Sequence, residues 1–238
     1  PDGETPKLQM SRLLSGEHLL FSQLEDQIAN FFQATEALFF PNGYTANVGV
    51  LSSILGRDDI CLHDKFVHAS LLDGLLLSRA RRFSFAHNDL EHCEKQLVRA
   101  HKMRKAGANV LLVVESLYSM DGDLAYLEEL LKLAESYDAE VLVDEAHAVG
   151  MHPAEGYSRG TGFGAFMAEH PHLLARIVTF GKAFGTSGAA VLGDSTLKQY
   201  LINHARSFIY STGPLLPQVV TVKAALEIFS AEPARLEK

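Results

Sequence analysis

Val110 to Val114 reads Val-Leu-Leu-Val-Val, an apolar run with no polar break. Such a strand is satisfied only when both of its faces are covered, which is the situation inside a parallel sheet flanked by helices. The rest of the chain repeats the theme. Short apolar runs at Ala37–Phe40, Ile60–Leu62, Arg82–Phe85, Val110–Val114, Glu140–Val143, Arg176–Phe180 and Ala189–Leu192 predict strands. Runs with apolar residues at helical spacing predict helices over Leu19–Phe32, Ala46–Leu55, Ala69–Ala80, Leu90–Ala100, Tyr126–Ser136 and Thr196–Ala205. Strand and helix in alternation predict an α/β fold built on a mainly parallel, seven-stranded sheet with helices on both faces.

Composition narrows the partners. A formal charge of −8 with no basic stripe argues against a nucleic-acid surface. Lys102–Lys105, with Arg79, Arg81 and Arg82, reads as solvated helix ends. No apolar run approaches the roughly 20 residues of a membrane span. The amino terminus, Pro1-Asp2-Gly3-Glu4, lacks the basic and apolar regions of a signal peptide. Cys61 and Cys93 sit in no metal or redox spacing, so they read as reduced, partly buried residues of a cytoplasmic protein, and no metal site is expected.

In open α/β sheets the chemistry lies just past the carboxyl ends of the strands. There Val141-Leu142-Val143 runs into Asp144-Glu145-Ala146-His147. Asp144 could simply cap a helix, with His147 exposed. It could equally hold a protonated heterocyclic nitrogen by a charge-assisted bond. Ile177-Val178-Thr179-Phe180 runs into Gly181-Lys182-Ala183-Phe184-Gly185. A lysine on such a loop is either an exposed cation or a nucleophile whose pKa is lowered by its setting. Neither a nucleotide P-loop nor a dinucleotide fingerprint fits, because no G-x-x-x-x-G precedes Lys182 and no G-x-G-x-x-G follows the first strand.

Three weaker segments complete the set. Phe40-Pro41-Asn42-Gly43-Tyr44-Thr45-Ala46-Asn47 is a turn into a helix start, where backbone N–H groups can hold a phosphate or nothing at all. Asp64-Lys65-Phe66-Val67-His68-Ala69-Ser70 sets a histidine at a helix start, which alone is more often structural. Glu115-Ser116-Leu117-Tyr118-Ser119-Met120-Asp121-Gly122-Asp123 places a carboxylate and hydroxyls after the most apolar strand. A non-catalytic α/β module binding acyl groups or nucleotides would explain the glycine-rich turns, but it leaves Asp144 and Lys182 idle.

Taken in order, these segments resemble fold type I enzymes dependent on pyridoxal 5′-phosphate (PLP), and within them the α-oxoamine synthase family. The carrying motifs are Ser11-Arg12-Leu13-Leu14-Ser15-Gly16, Gly43–Asn47, His68-Ala69-Ser70, Ser119–Asp123, Asp144–His147 and Thr179–Lys182, spanning about Ser11 to Pro214. The resemblance implies that Lys182 carries the cofactor as a Schiff base and moves the substrate's α-proton. It implies that Asp144 pairs with the ring nitrogen and that His147 and Ser119 bond the phenolic oxygen. His68 stacks on the ring, while Gly43, Tyr44 and Thr179 hold the phosphate. Ser211 or Thr212, in Tyr210-Ser211-Thr212-Gly213-Pro214, completes a neighbouring subunit's phosphate site in a homodimer. Glu115 matches a carboxylate near the cofactor.

The activity so implied joins an amino acid to an acyl thioester with loss of carbon dioxide. The wording of His68–Gly74, His87-Asn88-Asp89-Leu90 and Glu115–Asp123 looks most like the branch that uses L-alanine and a pimeloyl thioester, on CoA or a carrier protein, for biotin synthesis. Branches using glycine or serine share most of the motifs, and an aminotransferase or carbon–sulfur lyase of the same fold is a further rival. The implied organisation is an arm and helix over residues 1–35, a large cofactor domain over 36–214, and over 215–238 the start of a connection to a small domain. Family members are longer, and the arginine that grips the substrate carboxylate would lie in that small domain. The glycine-rich stretch Tyr157–Phe166 reads as a mobile loop replacing a more regular family segment.

Overall fold

A computed structural model describes residues 11–13, 17–151 and 160–231. The Pro1–Gln9 arm, Leu14-Ser15-Gly16, Tyr157–Arg159 and everything past Ala231 lie outside the described residues. The strands are β1 (Glu36–Phe40), β2 (Ile60–Asp64), β3 (Arg81–Phe85), β4 (Val110–Glu115), β5 (Glu140–Asp144), β6 (Leu173–Thr179) and β7 (Ala189–Gly193). They form a single seven-stranded sheet in the order β1-β7-β6-β5-β4-β2-β3. β2 through β6 run parallel, while β7 is antiparallel to both of its neighbours.

The helices are α1 (Leu19–Phe32), α2 (Gly43–Ile54), α3 (Ala69–Ser78), α4 (Leu90–Met103), α5 (Leu127–Ser136), α6 (Ser195–His204), α7 (Arg206–Ile209) and α8 (Leu216–Ala231). Their starts follow from their caps. Asn42, Asp89 and Asp194 each accept a backbone N–H from three residues on, at 2.9, 2.8 and 2.7 Å. α3 stops at Ser78, short of the expected Ala80, because Arg79 turns left-handed (φ 65°). Arg81 and Arg82 belong to the edge strand β3 and not to a helix end, whereas Arg79 and Lys102 do sit at helix ends.

Alternate residues of each central strand face opposite layers. Leu111, Val113, Leu142 and Ile177 pack under α2, α3 and α6. On the other face, Leu112, Val114 and Val143 pack with residues of α4 and α5, and Phe39, Val178 and Phe180 pack with α1 and α8. α8 therefore packs against α1 in the same apolar cluster, over residues where the sequence reading placed only a connection. Cys61 and Cys93 are free and fully buried, deeper than expected, and burial pushes the Cys93 thiol up to about 12. No helix among the described residues is long and apolar enough to cross a membrane.

Candidate active site

Parallel strands end together, so their final residues form a row. Glu115 of β4 stands in register with Asp144 of β5, and Asp144 with Ile177 of β6, two residues before Thr179. β1 delivers the chain at the same end, where it turns into α2. A side chain placed on Gly43 would meet Thr179 at 4.0 Å, so the helix start and the end of β6 face each other across a narrow gap. The free N–H groups of that helix start and the hydroxyl of Thr179 suit an anion. Thr179 Oγ1 is meanwhile within 3.1 Å of the carbonyl of Gly188, which closes the lysine loop.

Asp144 is buried, and both of its oxygens accept hydrogen bonds. Oδ1 takes the N–H of Ala146 at 2.8 Å, and Oδ2 takes the Asn47 carboxamide at 2.7 Å. Asn47 Nδ2 also donates to Ser70 Oγ at 2.8 Å, and Ser70 Oγ lies 2.7 Å from His68 Nδ1. A hydrogen-bonded chain thus joins the carboxylate at the end of β5 to the histidine capping α3. The backbone N–H of Ser70 also points at His68 Nδ1, at 3.2 Å, which makes that nitrogen an acceptor and leaves the proton on Nε2. The backbone N–H of His68 donates to Glu115 Oε1 at 2.5 Å. Neither Asn47 nor Ser70 had been given a role from sequence, although both stand inside the quoted motifs.

Lys182 is exposed, yet the protein packed around its ammonium is dense enough to matter. Desolvation lowers its pKa, against the opposing charges of Asp144 and Glu115. Burial, then the nearby charge of Asp144, pushes Glu115 up to about 7. His147 is held below its usual value by desolvation and by the positive charge of Lys182. Lys182, Asp144, Glu115 and His147 are thus linked by electrostatic influence, and His147 also feels His68.

Other expected residues stand apart from these groups. Tyr44 points its hydroxyl to Asp73, at 2.8 Å, instead of toward Thr179. Ser119 is exposed at the tip of the turn after β4 and makes no side-chain hydrogen bond to those groups. Ser211 Oγ donates to the carbonyl of Ser207 at 2.5 Å, and Thr212 is exposed. The glycine-rich stretch is anchored where it is described. Gly164 N–H donates to buried Glu145 at 2.5 Å, Arg176 pairs with Glu145 at 3.2 Å, and Arg176 also bonds the Thr161 carbonyl. Over the described part of that stretch, Gly160–Phe166, the backbone is tied to the buried Arg176–Glu145 pair through Thr161 and Gly164.

A family model for aminotransferase class I and II matches residues 8–235. A protein of Herminiimonas arsenicoxydans named 8-amino-7-oxononanoate synthase is 39% identical over 220 residues, covering 92% of this chain and 55% of that protein. A Geobacillus kaustophilus protein given the same name provisionally is 42% identical over 229 residues, covering 96% of this chain and 57% of its own length. A solved serine palmitoyltransferase variant from S. paucimobilis, with bound PLP and myriocin, superposes with a TM-score of 0.86 at 28% identity, over 96% of this chain and 57% of that one. An 8-amino-7-oxononanoate synthase structure from Francisella tularensis gives a TM-score of 0.70 at 28% identity, over 91% and 59%. The chain spans a little over half the length of the relatives it matches.

Proposed function

The chain belongs to the aminotransferase class I and II family, with a fold type I transferase architecture and relatives among the α-oxoamine synthases, and on that premise we propose that it is the PLP-binding part of an acyltransferase that joins an amino acid to an acyl thioester. The observation that carries the reading is a lysine of lowered pKa facing a buried, fully hydrogen-bonded aspartate at adjacent strand ends.

The residues fit the group. PLP supplies an aldehyde for covalent attachment and a ring that accepts electrons from the substrate's Cα. A lowered pKa leaves Lys182 more often as a neutral amine, the form that would hold the cofactor's aldehyde and would serve as a base for the Cα proton. Asp144, held by Asn47 and Ala146, keeps a ring nitrogen protonated. His68, oriented by Ser70, would cover the ring face. His147 and Ser119 serve the phenolic oxygen. Gly43, Tyr44 and Thr179 serve the phosphate. Tyr44 must leave Asp73 to do so.

The favoured reaction takes L-alanine and a pimeloyl thioester to 8-amino-7-oxononanoate, carbon dioxide and free thiol. What supports this branch is that two relatives bearing that name stand at 39% and 42% identity, while the solved structures of that name and of serine palmitoyltransferase both stand at 28%. The working form is a homodimer in which Ser211 or Thr212 reaches the partner's phosphate. Exposed Tyr210, Leu76 and Leu77 are the kind of apolar surface such an interface covers. The test is the full-length protein with PLP, offered L-alanine, glycine or L-serine against pimeloyl-CoA, acetyl-CoA or palmitoyl-CoA. Thiol release fastest with L-alanine and pimeloyl-CoA supports the assignment. Faster release with another pair moves the chain to that branch, and amino-group transfer without thiol release overturns the acyltransferase reading.

A further inference from the structure

His87, in the loop after β3, touches none of Lys182, Asp144, Glu115, His147 and His68 by hydrogen bond, yet it uses both ring nitrogens on carboxylates. Nδ1 is 2.9 Å from Asp64 Oδ1, and Nε2 is 2.8 Å from Asp123 Oδ2. Ionised carboxylates only accept, so both contacts are hydrogen bonds only if both nitrogens carry protons. Asp64 acts as an acceptor elsewhere too, taking the N–H of Phe66 at 2.8 Å and that of Asn88 at 2.9 Å. Asp123 Oδ2 also accepts from Asn88 Nδ2 at 2.5 Å. The His87 ring lies flat on Phe66, with centroids 4.5 Å apart and planes 23° apart, and edge-on to Tyr118.

These contacts tie two segments that Asn88 also bridges, through its backbone N–H to Asp64 and its carboxamide to Asp123. Asp64 ends β2 and leads through Phe66 to His68. Asp123 closes the turn that carries Ser119, where Tyr118 N–H bonds the Asp123 carbonyl at 3.0 Å and Gly122 N–H bonds the Tyr118 carbonyl at 2.9 Å. We infer that His87 is a positioning residue: as an imidazolium held between Asp64 and Asp123, it locks the Ser119 turn against the segment that delivers His68. The ring-face and ring-edge contacts of the cofactor site are thereby set by a residue that touches neither cofactor nor substrate. The inference rests on the PLP reading above.

The charges around the ring agree in sign. Asp64 faces it from β2 and Asp123 from the turn, and Asp121 adds a carboxylate within 4.8 Å of the His87 and Asp123 ligand atoms. Tyr118 and Phe66 present uncharged rings, and the adjacent His92 is engaged as acceptor of the Ala86 N–H at 3.0 Å. Glu115, one strand over, also feels Asp64. Burial opposes the charge on His87, but Asp64 and then Asp123 outweigh it and raise its pKa above 6.5. A raised value in the folded state means that the clamp is fully present below the ordinary histidine range. It is lost as pH climbs through the raised value.

The experiment uses the full-length protein with ring-15N histidine, and the His87→Gln and Asp123→Asn variants. In the wild type, the His87 resonance, identified by its absence in His87→Gln, should show both nitrogens protonated below the ordinary histidine value, at about pH 6. PLP affinity, followed by absorbance across pH, should fall about tenfold in His87→Gln at the acidic end and converge with wild type at the alkaline end. Asp123→Asn should flatten the same profile, which a merely structural loss would not do. A His87 ring neutral at that pH, or a His87→Gln deficit equal at every pH, overturns the clamp. Wild-type protein that fails to bind PLP at any pH overturns instead the functional reading beneath it, and does so without reference to either variant.

Discussion

The carboxamide of Asn47 donates to Oδ2 of Asp144 across 2.7 Å, joining the second turn of α2 to the end of β5. The contact is buried at both ends, so it orients the carboxylate without competition from water. Asn47→Ala removes it and leaves a buried carboxylate oxygen short of a donor, at a cost of about 1–3 kcal/mol. The expected outcome is a lower unfolding temperature together with turnover reduced more than PLP affinity, because Asp144 loses its aim but not its charge. Asn47→Asp should be worse than Asn47→Ala for turnover, since it sets a second carboxylate against the first. Turnover unchanged in both variants removes Asn47 from the site.

Lys182 sits on a solvent-exposed loop, so Lys182→Ala should change stability by no more than about 0.5 kcal/mol. Covalent attachment should nevertheless vanish. Borohydride reduction of the wild-type protein with PLP, followed by peptide mapping, should place the label on Lys182. A label on Lys65 or Lys198 instead would end the assignment; Lys198 is already paired with Glu36 at 2.9 Å and Glu25 at 3.4 Å.

The strand ends were legible because the apolar runs stop there, with Asp144 closing β5 and Lys182 three residues past the end of β6. The direction of β7 was legible in principle. The loop from Thr179 to Ala189 is too short for the dozen or more residues of a parallel crossover, so the strand must return antiparallel. α8 was not anticipated, because Val219, Val220, Val222, Ala225, Leu226 and Ile228 spread apolar residues around the helix and blur its stripe. Asn47 escaped for a different reason. Its partner lies 97 residues away, and no local pattern announces a buried amide aimed at a distant carboxylate. The His87 bridge was hidden in the same way, by partners on two other segments.

Glu115 gives a pH prediction with a definite sign. Its folded pKa of about 7 lies above the ordinary 4.5, so the folded state holds a proton that the unfolded state releases earlier. Stability should therefore fall as pH rises from about 4.5 to about 7, by an amount of order 2–3 kcal/mol. Glu115→Gln keeps an acceptor for the His68 N–H and has no charge to desolvate. Its denaturation midpoint should lose that slope and exceed wild type at pH 8. A variant retaining the wild-type slope would show that another group titrates there.

Gly150 closes the turn after His147 with φ +76°, a conformation costly for any residue with a side chain. A methyl group there would also collide with Ala183, the residue following Lys182. Gly150→Ala therefore loads strain onto the contact between the His147 turn and the lysine loop, and Ala183 must move to relieve it. The expected cost is about 1–3 kcal/mol in stability, with a larger proportional loss in the rate of covalent PLP attachment, since Lys182 moves with Ala183. Gly107→Ala is the control: φ +78° with open space around it, so it carries similar backbone strain on a surface loop away from the site. Equal stability losses, with attachment slowed only in Gly150→Ala, tie the effect to the lysine loop. Equal slowing in both would trace it to general destabilisation.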